Sequence, residues 1–286
     1  MKISLIGGDA RMRTVARLLE IHGAAVRSLA LPEGAPHPTE DLFSAVQGAE
    51  AIILPLPATR DGIYPTAGKG VAVPRLSDIF SRAEDECLCL GGMLSPSLLT
   101  MAEAAGVETA DYYQSETLLE RNAALTAEAA VAMAVLDLPV SLAGTTVSVI
   151  GAGRIARHLV HLLRAFSAHV LLYARRAEAR AQAALWGAEP YPIPEGEVLC
   201  MTQEVRAVFC TVPALLFPRD AIRSLAPGTP FYDLGGGGID REAAAEHGIP
   251  LPPSAGLPGK VSPESAGKYL FDEIRSILFE KRGVCL

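Results

Sequence analysis

The chain carries its clearest chemical pattern at residues 151–156, where Gly-Ala-Gly-Arg-Ile-Ala directly follows an apolar run. Gly151 permits a tight turn, Gly153 lets backbone N–H groups approach a pyrophosphate, and Ala156 lets a helix pack closely on a strand. A pyrophosphate bound here would lie at the positive end of the following helix. This context favours dinucleotide binding over a chance turn. The residues predicted to hold the dinucleotide are Gly151, Ala152, Gly153, Arg154 and Ile155.

Residues 173–176, at the end of the next predicted strand, indicate which dinucleotide is bound. An NAD-binding domain usually presents Asp or Glu to the ribose hydroxyls at this point, whereas this chain reads Tyr-Ala-Arg-Arg. The guanidinium groups of Arg175 and Arg176 suit the dianionic 2′-phosphate of NADP, through forked, charge-assisted hydrogen bonds. We therefore predict NADP, with NAD as the second choice. The alternative is a solvated charge pair at the start of a helix.

Two later strand ends supply further candidates for the cofactor site. Ligands of doubly wound sheets lie outside the carboxyl ends of the strands, so we expect these turns on the nicotinamide-ribose side. Ordinary turn chemistry explains the same residues equally well. The candidates are Thr211, Val212 and Pro213 after one strand, and Asp233 and Gly235 after the other.

The first predicted strand ends in Gly-Gly-Asp-Ala-Arg at residues 7–11, a turn that only partly matches a dinucleotide loop. Asp9 would cap the helix N–H groups and repel a phosphate, so a second dinucleotide is not expected. Arg11 is predicted to meet a substrate carboxylate, against the alternative of a surface charge. Thr59, after another strand, would reach the same rim, and Lys260 would supply a second cation unless it lies in a surface linker. The predicted substrate residues are Asp9, Arg11, Thr59 and Lys260.

The remaining titratable residues assign no catalyst and no metal site. Each of the six histidines is better explained as a structural or surface residue than as a general acid or base, so the catalytic residues stay unassigned. The five cysteines are odd in number and show no CxxC or paired metal-ligand spacing. This spacing argues against a disulfide framework and against a zinc site.

The overall composition narrows the partners and the compartment. A net charge of −7 and no run of Lys or Arg argue against nucleic acid. The chain opens on a strand-like run without the features of a signal peptide, so we expect a cytoplasmic protein. The most apolar segment, residues 123–142, is interrupted by Glu128, Asp137 and Pro139. We therefore predict a buried helix there and no membrane contact.

Apolar strand candidates alternate with helix candidates in two series, the pattern of parallel sheets covered by helices. We predict an α/β fold of two doubly wound domains, a flavodoxin-like N-terminal layer and a Rossmann nucleotide-binding domain. A long helix over about 115–136 links them, and the helical pattern after Pro263 predicts a last helix that returns to the first domain. The predicted boundaries are 1–137 for the substrate domain with the linking helix, 138–260 for the NADP-binding domain, and 261–286 for the C-terminal helix.

Taken together, these elements resemble the family of dipicolinate synthase A subunits over essentially the full length. The most specific features are the Gly-Gly-Asp-Ala-Arg opening and the Gly-Leu-Pro-Gly element at 256–259, because neither is a general Rossmann feature. One departure is that Gly235 to Gly238 stand where the family usually has Ala-Ser-x-Pro-Gly-Gly. The other matching features are residues 53–55, Asn122, residues 126–128, 149–154, 211–213 and 233–234, and Val261, Pro263, Ala266 and Gly267.

The resemblance implies NAD(P)-dependent oxidation of a dihydrodipicolinate to pyridine-2,6-dicarboxylate, the calcium-chelating acid of bacterial endospores. It implies a small dicarboxylate substrate, a partner that is the flavoprotein-like B subunit of the synthase, and a place in the mother cell of a spore-forming bacterium. It also implies a fold like that of the D-2-hydroxyacid and alanine dehydrogenases. Arg11 and Lys260 would be the cations that hold the planar dicarboxylate, and we expect a homo-oligomer.

Two other functions stay open at this point. The first is another NAD(P)-dependent dehydrogenase of small 2-hydroxy or amino acids, which typically needs a His with a carboxylate partner late in the cofactor domain. No such pair stands out in the sequence. The second is a non-catalytic NADP-binding subunit that serves as a scaffold or sensor.

Overall fold

The computed structural model of the chain describes residues 1–193, 199–201 and 204–286. The chain divides into two compact units, one formed by residues 1–122 and 259–286 and the other by residues 123–258. Each unit contains one five-stranded parallel sheet. The predicted α/β class with two doubly wound domains is therefore confirmed. No helix among the described residues is long and apolar enough to cross a membrane.

The sheet of the first unit has the strand order β2-β1-β3-β4-β5, which is the flavodoxin-like order. The strands are β1 (Lys2–Ile6), β2 (Ala25–Leu29), β3 (Ala51–Ile53), β4 (Leu88–Gly91) and β5 (Glu108–Asp111). The helices between them are α1 (Ala10–Ile21), α2 (Leu42–Val46), α3 (Leu76–Phe80) and α4 (Pro96–Ala104). β1, β3 and β4 are buried almost throughout, as expected for parallel strands covered on both faces.

The long helix α5 (Glu116–Asp137) begins in the first unit and continues into the second, because the two units divide between Asn122 and Ala123. The predicted boundary assigned the whole helix to the first domain. In the second unit α5 buries small side chains such as Ala127 and Ala130 in one core cluster with Leu159 and Leu163. The helix ends at Asp137, two residues before Pro139, whose ring lacks the N–H needed to continue it.

The sheet of the second unit has the order β10-β9-β6-β7-β8, which is the Rossmann order 3-2-1-4-5 when its strands are counted along the chain and the sheet is read from β8. Its strands are β6 (Thr146–Ile150), β7 (His169–Ala174), β8 (Glu189–Pro192), β9 (Val208–Cys210) and β10 (Phe231–Asp233). Its helices are α6 (Arg154–Ala165), α7 (Ala177–Leu185), α8 (Arg219–Ile222) and α9 (Arg241–Glu246). The sequence patterns did not predict β8, because Pro190 and Pro192 cannot donate to a ladder; as an edge strand β8 tolerates both.

The chain ends in the short helix α10 (Leu257–Val261) and the long helix α11 (Pro263–Arg282). α11 buries Leu270, Ile274 and Leu278 in the same core cluster as Val15 of α1, so the predicted return to the first domain is confirmed. At Gly267 a Cβ would lie 2.6 Å from the Thr14 Cβ, so only glycine allows the two helices this approach. Ser262 occupies the predicted N-cap position, although its side chain makes no capping hydrogen bond.

Candidate functional site

The turn between β6 and α6 keeps the start of a helix open to a ligand. Gly151 has a φ of +101°, and a Cβ there would overlap the Thr211 hydroxyl oxygen, so the turn requires glycine. Gly153 is the N-cap of α6 and provides no side-chain hydrogen bond to the helix. A Cβ on Gly153 would meet no atom of the protein within 4 Å. The first N–H groups of a helix have no intrahelical partner; here no side chain caps the helix start, and the space beside Gly153 is open.

The corresponding turn of the first unit is closed. Asp9 caps α1 by accepting a hydrogen bond from the Arg11 N–H at 3.1 Å. The N–H of Gly8 donates to the Thr66 carbonyl at 2.7 Å, and a Cβ on Gly7 would lie 2.7 Å from that same oxygen. A carboxylate and a neighbouring backbone segment therefore occupy the place that a phosphate takes in a dinucleotide turn.

A cavity of about 370 Å³ lies beside the open turn of the second unit, at the carboxyl ends of its strands. Six of the predicted cofactor residues border it. Four more lining residues were not predicted. The complete lining is Gly151, Ala152, Gly153, Ala174, Arg175, Arg176, Ala179, Ile193, Val212 and Leu216.

The two arginines at this cavity are exposed. Among the described residues, no hydrogen bond or ion pair engages either guanidinium group. Arg180 instead fixes the backbone of their turn, because its Nη1 donates to the carbonyl oxygens of Ala174 at 3.0 Å and Arg175 at 2.5 Å. Arg175 and Arg176 thus stand free for an anionic ligand on a turn that a third arginine holds in place.

The arrangement fits a phosphorylated nucleotide. An open helix start can receive a phosphate, the two guanidinium groups can receive a second anionic group, and Ala179, Ile193 and Leu216 give an apolar wall. Ala174, the last residue of β7, occupies the position where a ribose-binding carboxylate would stand. Ile193 was missed because it follows β8, which the prolines concealed, and Leu216 because it lies in a loop without a pattern.

The other predicted cofactor residues lie outside the cavity lining. Arg154 and Ile155 belong to the first turn of α6, and Pro213 is exposed after β9. The Thr211 hydroxyl donates to the Ile150 carbonyl at 2.8 Å, which ties the end of β9 to the end of β6. Asp233 accepts hydrogen bonds from backbone N–H groups of the glycine turn after β10, and Gly235 packs on the backbone of Val212.

In the first unit, Arg11 forms a forked ion pair with Asp9. Its Nε lies 2.9 Å from the Asp9 Oδ1, its Nη2 lies 2.8 Å from the Oδ2, and the same Nη2 donates to the Leu56 carbonyl at 2.6 Å. The Arg11 side chain is 10% exposed, whereas that of Asp9 is 44% exposed. The Nη1 group makes no hydrogen bond to a described residue, so it is the donor that Arg11 has left for a ligand.

Gly259 brings the start of the last chain segment onto this ion pair. A Cβ at Gly259 would lie 2.7 Å from the Asp9 Oδ2 and 2.9 Å from the Arg11 Nε, so glycine is required for the contact. Lys260 is the next residue; it is exposed and pairs with no carboxylate among the described residues. The Thr59 hydroxyl accepts from the Gly62 N–H at 2.9 Å and donates to Asp61 at 3.2 Å, within its own loop.

The histidine–carboxylate pairs His37–Glu20 and His169–Glu189 both lie away from the cavity lining. His37 pairs with Glu20 at 2.6 Å in the first unit, and His169 pairs with Glu189 at 2.9 Å in the second. His169 begins β7 beside Thr146, at the amino ends of these strands, whereas Gly151 follows the carboxyl end of β6. The thiol of Cys210, at the end of β9, has its pKa raised by burial to about 11, so it is a neutral group at neutral pH. The general base therefore stays unassigned.

Comparison with known proteins agrees with this division of the chain. Residues 2–113 match the family model of the N-terminal domain of the dipicolinate synthase A subunit. Residues 117–215 match that of the D-isomer specific 2-hydroxyacid dehydrogenase NAD binding domain. A curated relative, the dipicolinate synthase A subunit of Bacillus subtilis (strain 168), is 26% identical over 289 residues, covering 98% of this chain and 96% of the relative.

The chain is thus similar over its whole length to the A subunit of dipicolinate synthase. This finding confirms the family resemblance stated from the sequence. The crystal structure of the dipicolinate synthase A subunit from Bacillus halodurans has a TM-score of 0.80 at 24% identity, with 97% of each chain covered. D-lactate dehydrogenase from Escherichia coli has a TM-score of 0.66 at 14% identity, covering 100% of this chain and 98% of that one. The second domain is therefore of the dehydrogenase NAD-binding type, on a fold shared with these proteins.

Proposed function

We propose that this chain is an A subunit of dipicolinate synthase that oxidises a dihydrodipicolinate to dipicolinate with NADP+. The observation that carries the proposal is the open start of α6 beside two exposed arginines, where β7 ends in Ala174 without a carboxylate. The open helix end suits the pyrophosphate, and the arginines suit a 2′-phosphate. Whole-length similarity to the A subunit of dipicolinate synthase supports the substrate.

In this reaction the dihydropyridine ring gives a hydride to the nicotinamide ring of NADP+ and a proton to the surroundings. The products are aromatic pyridine-2,6-dicarboxylate, NADPH and H+. The gain of aromaticity drives the reaction in this direction, so we assign the protein mainly the task of holding the two rings in contact. The hydride chemistry belongs to the cofactor.

We propose the following roles for the predicted residues. Residues 151–155 hold the pyrophosphate, Arg175 and Arg176 hold the 2′-phosphate, and the turns after β9 and β10 complete the cofactor site. Arg11, through its Nη1, and Lys260 bind the substrate carboxylates, and Asp9 orients Arg11. Thr59 contacts the substrate from its own loop. The substrate domain ends at residue 137 and the NADP-binding domain at residue 260 in this proposal. The partner is the flavoprotein-like B subunit, and the chain itself forms a homo-oligomer. The location is the cytoplasm of the mother cell of a spore-forming bacterium.

The proposal is tested with purified chain, dihydrodipicolinate and either NADP+ or NAD+, in the presence and absence of the B subunit. NADPH formation is followed by absorbance, and dipicolinate is quantified separately by chromatography. We expect the two products in equal amounts and a preference for NADP+. The Gly153→Ala variant is the matched control. Its added methyl group stands at the open helix start, so it should stay folded but bind the cofactor more weakly.

Three other results would each contradict a different part of the proposal. Faster turnover with NAD+ would remove the role of the two arginines. Reduction of NADP+ by a small 2-hydroxy or amino acid, with none by dihydrodipicolinate, would identify another dehydrogenase. Tight NADPH binding without turnover under any condition, including addition of the B subunit, would identify a non-catalytic subunit.

A further inference from the structure

The turn after β10 consists of four consecutive glycines, Gly235 to Gly238, arranged around one carboxylate. Asp233 accepts a hydrogen bond from the Gly237 N–H at 2.8 Å and a second from the Gly236 N–H at 3.1 Å. The Gly238 N–H lies 3.3 and 3.4 Å from its two oxygens. Positive φ values of +77° at Gly236 and +89° at Gly237 let successive N–H groups converge. Both oxygens of Asp233 are thus engaged inside the protein.

The turn is pressed against the segment that follows β9. A Cβ at Gly235 would lie 2.6 to 2.8 Å from the backbone atoms of Val212, and one at Gly238 would lie 2.6 Å from the Cys210 Sγ. Neither position has room for a side chain. The N–H groups of Leu234 and Gly235 also donate to the Cys210 carbonyl, at 2.8 and 3.0 Å. The place of this turn therefore fixes the backbone of Val212.

The turn also holds Leu216. The Gly238 carbonyl accepts from the N–H groups of Leu216 at 3.1 Å and Phe217 at 3.0 Å. Val212 and Leu216 both line the cavity beside the open start of α6, whereas Asp233 and the four glycines do not. The hydrogen bonds thus run from the Asp233 carboxylate through the glycine turn to one wall of the cavity.

We propose that Asp233 is a positioning residue, which fixes the Val212–Leu216 wall of the nucleotide cavity through the glycine turn and does not contact the cofactor. The inference rests on the proposed function, because it takes the cavity to be the nucleotide site. It replaces our expectation from the sequence that Asp233 lines the nicotinamide side. Both interpretations predict weaker NADPH binding when Asp233 is changed, so the test must separate the two halves of the cofactor.

The separating ligand is 2′,5′-ADP, which carries the adenine and the 2′-phosphate but no nicotinamide. Affinities for NADPH and 2′,5′-ADP are measured by calorimetry for the wild type, Asp233→Asn and Asp233→Ala. Asp233→Asn keeps one accepting oxygen but loses the charge. We expect it to weaken the binding of both ligands by the same factor, about tenfold, which corresponds to one charge-assisted hydrogen bond. Asp233→Ala should weaken both further. If only NADPH binds more weakly, Asp233 contacts the nicotinamide half directly. If the affinities for both ligands are unchanged, the glycine turn does not position the Val212–Leu216 wall.

Asp240→Ala is the matched control for a general loss of stability. Asp240 also uses a carboxylate to accept a backbone N–H, that of Ala243 at 3.0 Å at the start of α9, but it does not line the cavity. Its loss should lower the melting temperature without changing either affinity. If the wild type binds neither NADPH nor NADH, the proposed function has failed, which is a different result from any pattern among the variants.

A measurement on the wild type covers the case in which the Asp233 variants do not fold. Hydrogen exchange of the amides of Gly236, Gly237 and Gly238 is followed with and without NADPH. We expect their protection to stay the same or to rise when NADPH binds, because the carboxylate remains in the turn. Faster exchange on binding would mean that Asp233 leaves the glycines for the cofactor, and would overturn the proposal.

Discussion

Two glycines two residues apart, Gly151 and Gly153, should respond in opposite ways to the same Gly→Ala change. Gly153 has a φ of −89°, which any residue adopts, and its added methyl group would meet no protein atom within 4 Å. Gly151 has a φ of +101°, and its methyl group would overlap the Thr211 hydroxyl oxygen. The protein itself requires glycine at 151, whereas at 153 only a ligand would.

The expected magnitudes follow from these surroundings. Gly153→Ala exchanges a favoured N-cap residue for a disfavoured one, at a cost of about 1 kcal/mol. The unfolded chain also loses about 0.4–1 kcal/mol of conformational freedom, so the two effects largely cancel and stability should change by less than about 1 kcal/mol. Binding should suffer more, because the methyl group stands where a phosphate would meet the helix N–H groups. Loss of one charge-assisted hydrogen bond of about 1.5–3 kcal/mol corresponds to a Kd roughly ten to a hundred times higher. Gly151→Ala should cost about 3 kcal/mol or more from backbone strain and overlap.

The assay pairs thermal unfolding with titration of NADPH by its fluorescence. We expect Gly153→Ala to melt with the wild type but to bind NADPH at least about tenfold more weakly. Gly151→Ala should melt several degrees lower. A Gly153→Ala protein that both melts and binds as the wild type does would refute the assignment of the phosphate to this helix start.

The remaining predictions concern charge and burial. Arg175→Ala and Arg176→Ala should each weaken NADPH binding by about tenfold and leave NADH binding unchanged, measured by titration. Arg206 lies at the amino ends of the strands of the same sheet, so Arg206→Ala should leave the binding of both nucleotides unchanged. Arg11→Ala should raise the KM for dihydrodipicolinate with the Kd of NADPH intact, and a loss of NADPH binding would contradict its role on the substrate. A thiol reagent at pH 8 should label two cysteines in the folded protein and five after denaturation, because three of the thiols are buried away from the reagent. Burial also raises the pKa of Cys210 to about 11, so its thiol stays protonated at this pH. The two exposed cysteines are Cys200 and Cys285, and the buried ones are Cys87, Cys89 and Cys210.

The fold was predictable because its signals are local. Apolar runs that alternate with helical patterns indicate parallel sheets wherever they occur, and both strand orders agree with the predicted domain types. α1 begins at Ala10, one turn before the apolar pattern, because the Asp9 side chain caps it. β8 escaped prediction since its two prolines argue against a strand, and only its place at the sheet edge makes them acceptable.

The sequence by itself determined the glycine turn at 151–153 and the absence of a carboxylate at 173–176, because both depend on consecutive residues. Only the tertiary structure decided which side chains are already engaged. It paired Arg11 with Asp9 and Leu56, surrounded Asp233 with glycine N–H groups, and brought Leu216 to the cavity wall. Such contacts join residues that are distant in the chain or hidden in turns. No spacing in the sequence reports whether a charged group faces a ligand or a partner inside the protein.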